Sequence, residues 1–207
     1  MRVDFRQMID ERKRPKNELY SAARFFAVIL LVVFAVIILF TVILGGVRVD
    51  GVSMEPTLHD GDYLFVNKLA DAKRGDIVVV YTGRENAEFV IKRVIALGGD
   101  QIYAADGVLY RKCAGETEFS VVDEPYLQGD WLYAGDEKPD TFASESAPLQ
   151  IPDGEIFYMG DNRNESYDCR AYGPQPEEHV WGVVTGWSME MKGFFTSVFN
   201  IFGAASA

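Results

Sequence analysis

Phe89-Val90-Ile91-Lys92-Arg93-Val94-Ile95-Ala96-Leu97 is an apolar run, rich in β-branched residues and broken only by two adjacent cations. Such a composition predicts a β-strand. Side chains alternate along a strand, so Lys92 is expected to share a face with Val90 and Val94, and Arg93 the opposite face with Ile91 and Ile95. Comparable runs at Tyr63–Val66, Ile77–Tyr81 and Ile156–Met159 are further strand candidates. Turn signals separate them: Asp60-Gly61-Asp62, Arg74-Gly75-Asp76, Gly98-Gly99-Asp100, Asp106-Gly107 and Pro152-Asp153-Gly154. The chain beyond residue 46 therefore reads as mainly β.

Upstream, Phe25 to Gly46 (FFAVILLVVFAVIILFTVILGG) carries no charge over 22 positions, about 33 Å of helix, which matches a bilayer core. The apolar part of a cleaved secretory signal is only about 7–15 residues long, so a transmembrane helix is the better reading. Residues 1–24 hold seven basic and four acidic side chains, and a basic excess stays on the cytoplasmic side. The expected topology is a single pass through the plasma membrane, N-terminus inside, everything after Gly46 outside. The basic tail, interrupted by Pro15, is expected to be frayed or disordered.

Of the 20 basic and 31 acidic residues, 13 and 27 lie beyond the tail, a net of −14 that excludes a phosphate-binding surface and so nucleic acid. Residues 101–150 are acidic and loop-rich, with aromatics Tyr103, Tyr110, Phe119, Tyr126, Trp131 and Tyr133, and read as an inserted subdomain. In residues 187–207, Phe194, Phe195, Phe199, Ile201 and Phe202 follow Lys192. Core packing is the default for such a segment; a surface helix dipping into lipid is the sharper alternative. The closing Ala204-Ala205-Ser206-Ala207 has small-x-small form by chance. Cys113 and Cys169 are enough for one disulfide in an oxidising compartment. With only His59 and His179 beside them, and no CxxC or HxxxH spacing, no metal is expected.

A lysine in an apolar strand usually reaches out to water at a sheet edge. Ser53, in Ser53-Met54-Glu55-Pro56, changes its meaning. A serine hydroxyl needs a base to take its proton, and a lysine can do so when burial lowers its pKa. Gly51 permits close backbone approach and Pro56 stiffens the turn, so Ser53 is more than a turn serine bonded to its own backbone. His59, in a polar turn, and His179, in a surface loop after Pro176-Glu177-Glu178, are poor candidates for a histidine base.

Four motifs follow in order: Gly51-Val52-Ser53-Met54-Glu55-Pro56-Thr57-Leu58; Gly61-Asp62-Tyr63-Leu64-Phe65-Val66-Asn67-Lys68; Lys92 through Asp100; and Gly160 through Arg170, reading GDNRNESYDCR. Together with the apolar helix they resemble the type I signal peptidases, membrane-bound Ser/Lys endopeptidases, over Phe25 to about Gly186. The resemblance implies a β-rich extracytoplasmic catalytic domain at 47–186, with the 101–150 subdomain inserted in it. It implies Ser53 as nucleophile, with its backbone N–H as oxyanion donor, Lys92 as general base and Ser166 as the lysine-orienting group. Arg93, Asp161, Arg163, Asp168 and Arg170 would be ion-paired scaffold. Some relatives add an oxyanion hydroxyl two residues before the nucleophile, where this chain has Gly51. Relatives commonly have serine at Cys169, and a disulfide there would tether the site to the insertion.

By the same resemblance an extended signal peptide pairs with Val47, Arg48, Val49, Asp50 and Gly51 on one side and with Phe89, Val90 and Ile91 on the other. Exported preproteins are then the substrates, cut after Ala-x-Ala, with the lipid bilayer as surroundings, a monomer as the working unit and no cofactor. Encounter of anchored enzyme and embedded substrate is favoured by shared confinement to the membrane. The alternative is a catalytically silent relative acting as a chaperone for surface-protein assembly, but such proteins lack the serine or the lysine. Self-cleaving repressors use a similar dyad behind DNA-binding helices, which a membrane helix replaces here.

Overall fold

The computed structural model describes residues 5–83, 89–127 and 143–203. Two units emerge, Met1–Ile43 and Leu44–Ala207. In the first, helix α1 spans Phe5–Ile38 and continues as a π-helical segment, Leu39–Ile43. Within it Glu18–Ile43 is long and apolar enough to cross a membrane. Two expectations are corrected here. The tail is helical from Phe5 rather than frayed, because extending an existing helix needs no new nucleus and residues such as Arg, Lys and Glu are good helix formers. The apolar run also stops being helical before Gly46: Leu44–Arg48 is strand β1. Its two glycines are poor helix formers, and they give room to rings: a Cβ on Gly45 would overlap the Trp181 indole, and one on Gly46 the Tyr63 hydroxyl.

The second unit holds the strands β2 (Tyr63–Asn67), β3 (Ile77–Tyr81), β4 (Phe89–Leu97), β5 (Gln101–Ala105), β6 (Val108–Lys112), β7 (Ser120–Val121), β8 (Leu149–Gln150), β9 (Glu155–Met159), β10 (Gln175–Pro176) and β11 (Val180–Val184). Short helices α2 (Cys169–Tyr172) and α3 (Gly186–Glu190) and the longer α4 (Lys192–Gly203) complete it. One sheet has the order β1-β2-β11-β3-β4-β9-β10, with all its pairs antiparallel. The other, β7-β6-β5-β8, is built from residues between 101 and 150. Asp100 sits at the junction between them, fully buried, accepting from Arg74, Leu97 N and Ala114 N. Trp131 and Tyr133, and the closing Ala204–Ala207, lie outside the described residues.

The expected alternation along β4 holds up to Val94 and then fails. Between Val94↔Tyr158 and Ala96↔Phe157 the strand carries one extra residue, Ile95, and Val94, Ile95 and Ala96 all join one buried cluster. A bulge of this kind re-aims the strand immediately beyond Lys92 and Arg93. A second, smaller cluster of Val49, Met54, Leu58, Leu64 and Ile77 lies under the Ser53 turn, with Ile91 against it. Large residues therefore pack both sides of the segment that carries the two cations.

Candidate active site

Ser53 lies in the loop from Val49 to Asp62, closed at its base by Val49 N to Asp62 O (2.8 Å) and Gly61 N to Val49 O (2.9 Å). Met54 and Leu58, one helical turn apart and joined by Leu58 N to Met54 O at 3.0 Å, are buried in the smaller cluster. They anchor the turn from below. From the other side Asn162 clamps it: its backbone N–H donates to Ser53 O (3.0 Å) and its Nδ2 to Val52 O (3.1 Å). Gly160 makes this approach possible, since a Cβ there would overlap both Ser53 O and Ser166 Oγ. Gly51, at φ +87°, donates its N–H to Asp60 Oδ1. The Glu55–Pro56 peptide is cis.

Lys92 comes from β4 and is only 4 % exposed. Its Nζ donates to Ser53 Oγ at 2.7 Å and to Ile91 O at 3.1 Å. Burial lowers its pKa from 10.5 to about 8; Asp168 pulls it up, Arg170 pushes it down. No acceptor takes the Ser53 N–H among the described residues. Ser166, buried, donates to Asp168 Oδ2 at 2.7 Å, and no hydrogen bond joins it to Lys92. Its proton is committed to the carboxylate, which leaves its oxygen lone pairs free to accept.

Asp168 caps α2 and also accepts from Gly160 N (2.9 Å) and from Arg170 Nε and Nη2 (2.7 and 2.8 Å). Burial raises its carboxyl, and those donors oppose the rise. Burial also lowers Arg170 to about 9, still a cation at neutral pH. Arg93 forks onto Asp161 through Nε (2.8 Å) and Nη2 (2.6 Å), reaches Gly75 O, and lies 3.9 Å over the Tyr126 ring. Thr57 Oγ1 donates to the same Asp161. Arg163 bonds Gly160 O and pairs with Glu124, so the motif loop is tied to residues just after β7.

Cys113 and Cys169 are free thiols; Cys169 is buried, accepts from Tyr158 N at 3.4 Å, and burial pushes its pKa up. His59 is exposed. His179 packs edge-on to Tyr81. No metal-binding cluster of His, Cys, Asp or Glu occurs among the described residues.

A cavity of about 360 Å³ is lined by Gly46, Val47 and Arg48 of β1, Val79 of β3, Phe89 and Ile91 of β4, and Trp181 of β11. β1 and β4 are four places apart in the sheet, about 19 Å if it were flat, so sharing one cavity requires the sheet to curl. Among the described residues β1 is an edge strand, and β4 pairs with β9 only from Arg93 onward, which leaves one side of Phe89, Val90 and Ile91 without a strand partner there. Val49 is buried in the smaller cluster, and Asp50 and Gly51 are exposed on the way to Ser53.

The family described as signal peptidase, peptidase S26, matches residues 22–188. This chain belongs to that family. It is 38 % identical to a signal peptidase I of Bacillus licheniformis over 75 % of this chain and 80 % of that one, and 39 % identical to one of Bacillus amyloliquefaciens over 70 % and 74 %. A signal peptidase I P of Bacillus subtilis subsp. natto is 34 % identical over 79 % and 84 %. A solved signal peptidase I of Enterococcus faecalis V583 aligns with a TM-score of 0.44 and 29 % identity, covering 56 % of this chain and 98 % of that one. The protein is thus a serine endopeptidase of the signal peptidase type, with its apolar N-terminal helix as a membrane anchor. The silent-chaperone alternative finds no support in these relatives.

Sequence reading gave no role to several residues that hold the Ser53 and Lys92 segments in place. Asn162 and Gly160 stood inside a quoted motif without a role, and Thr57 beside Ser53 likewise. Glu124, more than thirty residues from any motif residue it meets, carried no local signal.

Proposed function

We propose that Ser53 is the nucleophile and Lys92 the general base in removing signal peptides from exported preproteins after small-x-small sites. The observation that carries this is the 2.7 Å contact between Lys92 Nζ and Ser53 Oγ inside an apolar surround. With its pKa lowered to about 8, the amine is neutral in an appreciable fraction of molecules near neutral pH. In that form its lone pair accepts the hydroxyl proton while Oγ attacks the scissile carbonyl. The resulting ammonium donates the proton to the leaving amine, and an acyl-enzyme on Ser53 is hydrolysed by water that the amine activates in turn.

The unclaimed Ser53 N–H supports its role as oxyanion donor, with Gly51 offering no hydroxyl to assist. Ser166 is a positioning residue: anchored by Asp168, its oxygen accepts from the amine as Lys92 swings between serine and leaving group. Arg93–Asp161, Arg163–Glu124 and Asp168–Arg170 hold the surrounding strands and loops. The two open edges, Val47 to Gly51 and Phe89 to Ile91, take an extended substrate between them as added strands, side chains alternating into the cavity. The protein works as a monomer and needs no cofactor. Its anchor crosses the membrane once with the basic end in the cytoplasm, which sets the catalytic domain (47–186, with 101–150 inserted) outside.

The test is cleavage of a preprotein by the purified full chain in lipid vesicles. Ser53→Ala is expected to abolish it. Cleavage retained by that variant removes the mechanism.

A further inference from the structure

We infer that Asn162 is a positioning residue for the oxyanion: its side-chain amide fixes and polarises the Val52–Ser53 peptide, whose N–H meets the developing negative charge. Asn162 bonds the peptides on both sides of the Ser53 Cα. Its Nδ2 donates to Val52 O at 3.1 Å, and its backbone N–H donates to Ser53 O at 3.0 Å. A carbonyl oxygen only accepts, so the amide must present its nitrogen to Val52. Among the described residues the cis peptide is Glu55–Pro56, so the Val52–Ser53 unit is trans and planar, and its C=O and N–H point in opposite directions. A hold on the oxygen therefore aims the N–H, which no acceptor takes among the described residues. The same bond draws electron density toward Val52 O and makes the N–H a stronger donor. This role rests on the proposed use of the Ser53 N–H and adds the group that aims it.

Packing does little to fix that peptide. Met54 and Leu58 are buried in the smaller cluster, but Val52 is 44 % exposed, and Gly51, at φ +87°, has the backbone freedom of a residue without Cβ. Val52 O also accepts from Glu55 N at 3.1 Å, but that bond lies inside the turn and moves with it. Asn162, by contrast, is fixed from outside. Asp161 before it takes the Arg93 fork and Thr57 Oγ1, and Arg163 after it bonds Gly160 O and Glu124. Asn162 O itself accepts from Glu165 N at 3.1 Å. Because Arg93 follows Lys92 on β4, the contacts close into a ring: Lys92 to Arg93, Asp161, Asn162 and Ser53, and from Ser53 Oγ back to Lys92 Nζ at 2.7 Å. The oxyanion donor is thereby set in register with the strand that carries the base. With Gly51 offering no hydroxyl, the aim and strength of the Ser53 N–H matter more.

The experiment uses the full chain in phosphatidylcholine vesicles with Asn162→Leu and Asn162→Asp. Both keep the backbone bond to Ser53 O; the first removes the amide at similar size, and the second sets an acceptor against Val52 O. Preprotein cleavage by Asn162→Leu is expected to show kcat lower by about 10- to 100-fold with KM within about twofold, and Asn162→Asp a loss at least as large. A peptide boronic acid, whose tetrahedral adduct on Ser53 places an oxygen where the oxyanion forms, should bind more weakly by about the same factor. A competitive peptide of the same length that forms no adduct should bind unchanged. The acid limb of the pH–rate profile near pH 8 should stay in place in Asn162→Leu, because the amide aims the N–H and does not set the charge of Lys92. Asn162→Gln, with an amide on a longer arm, should recover part of the lost rate. Unchanged kcat overturns the inference. Equal weakening of boronic acid and plain peptide, or a displaced acid limb, also overturns it, since either would mean a merely structural hold on the loop. Should near-UV circular dichroism show Asn162→Leu unfolded, the isosteric Asn162→Asp carries the comparison of the two inhibitors. Retained cleavage by Ser53→Ala would remove the nucleophile; full cleavage by Asn162→Leu with none by Ser53→Ala would remove the positioning role alone.

Discussion

The two faces of β4 treat a desolvated cation in opposite ways. Among the described residues Lys92 bonds no carboxylate, only a hydroxyl and a carbonyl, and burial drives its pKa down to about 8. Arg93, the next residue, forks onto Asp161 with a backbone carbonyl and an aromatic ring around it, and its pKa is raised. Desolvation acts on both; the partner decides the outcome. One position holds a fixed charge that joins elements, and the other a proton that can leave. The two charges that act most strongly on Lys92, Asp168 and Arg170, are bound to each other, so the carboxylate's pull on the amine is opposed by the guanidinium's push.

The largest expected effect tests that division directly. Lys92→Arg keeps the charge and removes the ability to lose it, so preprotein cleavage should fall by more than about a thousandfold; near-normal rates would break the contrast. Arg93→Met leaves Asp161 buried with Thr57 as its remaining hydrogen-bond donor, and should cost about 3–5 kcal/mol in denaturant unfolding of the full chain in micelles.

Lys92→Met should do the reverse and stabilise, by about 2–3 kcal/mol at pH 7. The sign follows from a folded-state pKa below the unfolded one. Holding the ammonium costs most below pH 8, and the cost fades as pH climbs from about 8 to 10.5, so the variant's advantage should vanish over that window. The smallest effect sharpens the comparison: Arg170→Gln unmasks Asp168, raises the Lys92 pKa, and should move the acid limb of the pH–rate profile up by about half a unit. The wild-type limb itself should rise through about pH 8.

Much of the fold was legible because it rests on local pattern. Ile77–Tyr81 and Phe89–Leu97 are strands over the predicted residues, and the other two differ from prediction by one residue at an end. β11 was not foreseen, since Gly182 interrupts its apolar run and a charged turn precedes it. β1 was hidden in the apolar tail of the anchor, where only long-range packing against Tyr63 and Trp181 turns Leu44-Gly45-Gly46 from helix to strand. At the site, the contact of Ser53 with Lys92 was expected from motif and chemistry. The orientation of Ser166 was not, because a hydroxyl's choice between an amine and a carboxylate depends on where Asp168 stands.

By itself the sequence determined the alternation of β4 as far as Val94, the apolar anchor, the acidic character of the rest, and the pairing of a turn serine with a strand lysine. These follow from residue type and spacing, which short-range sterics and hydrophobicity read directly. Tertiary structure alone decided how dry Lys92 is, which charges neutralise one another beside it, and which residue clamps the peptides around Ser53. Each of those depends on groups brought together from distant parts of the chain, and desolvation and pairing are properties of the assembled surroundings rather than of any one segment.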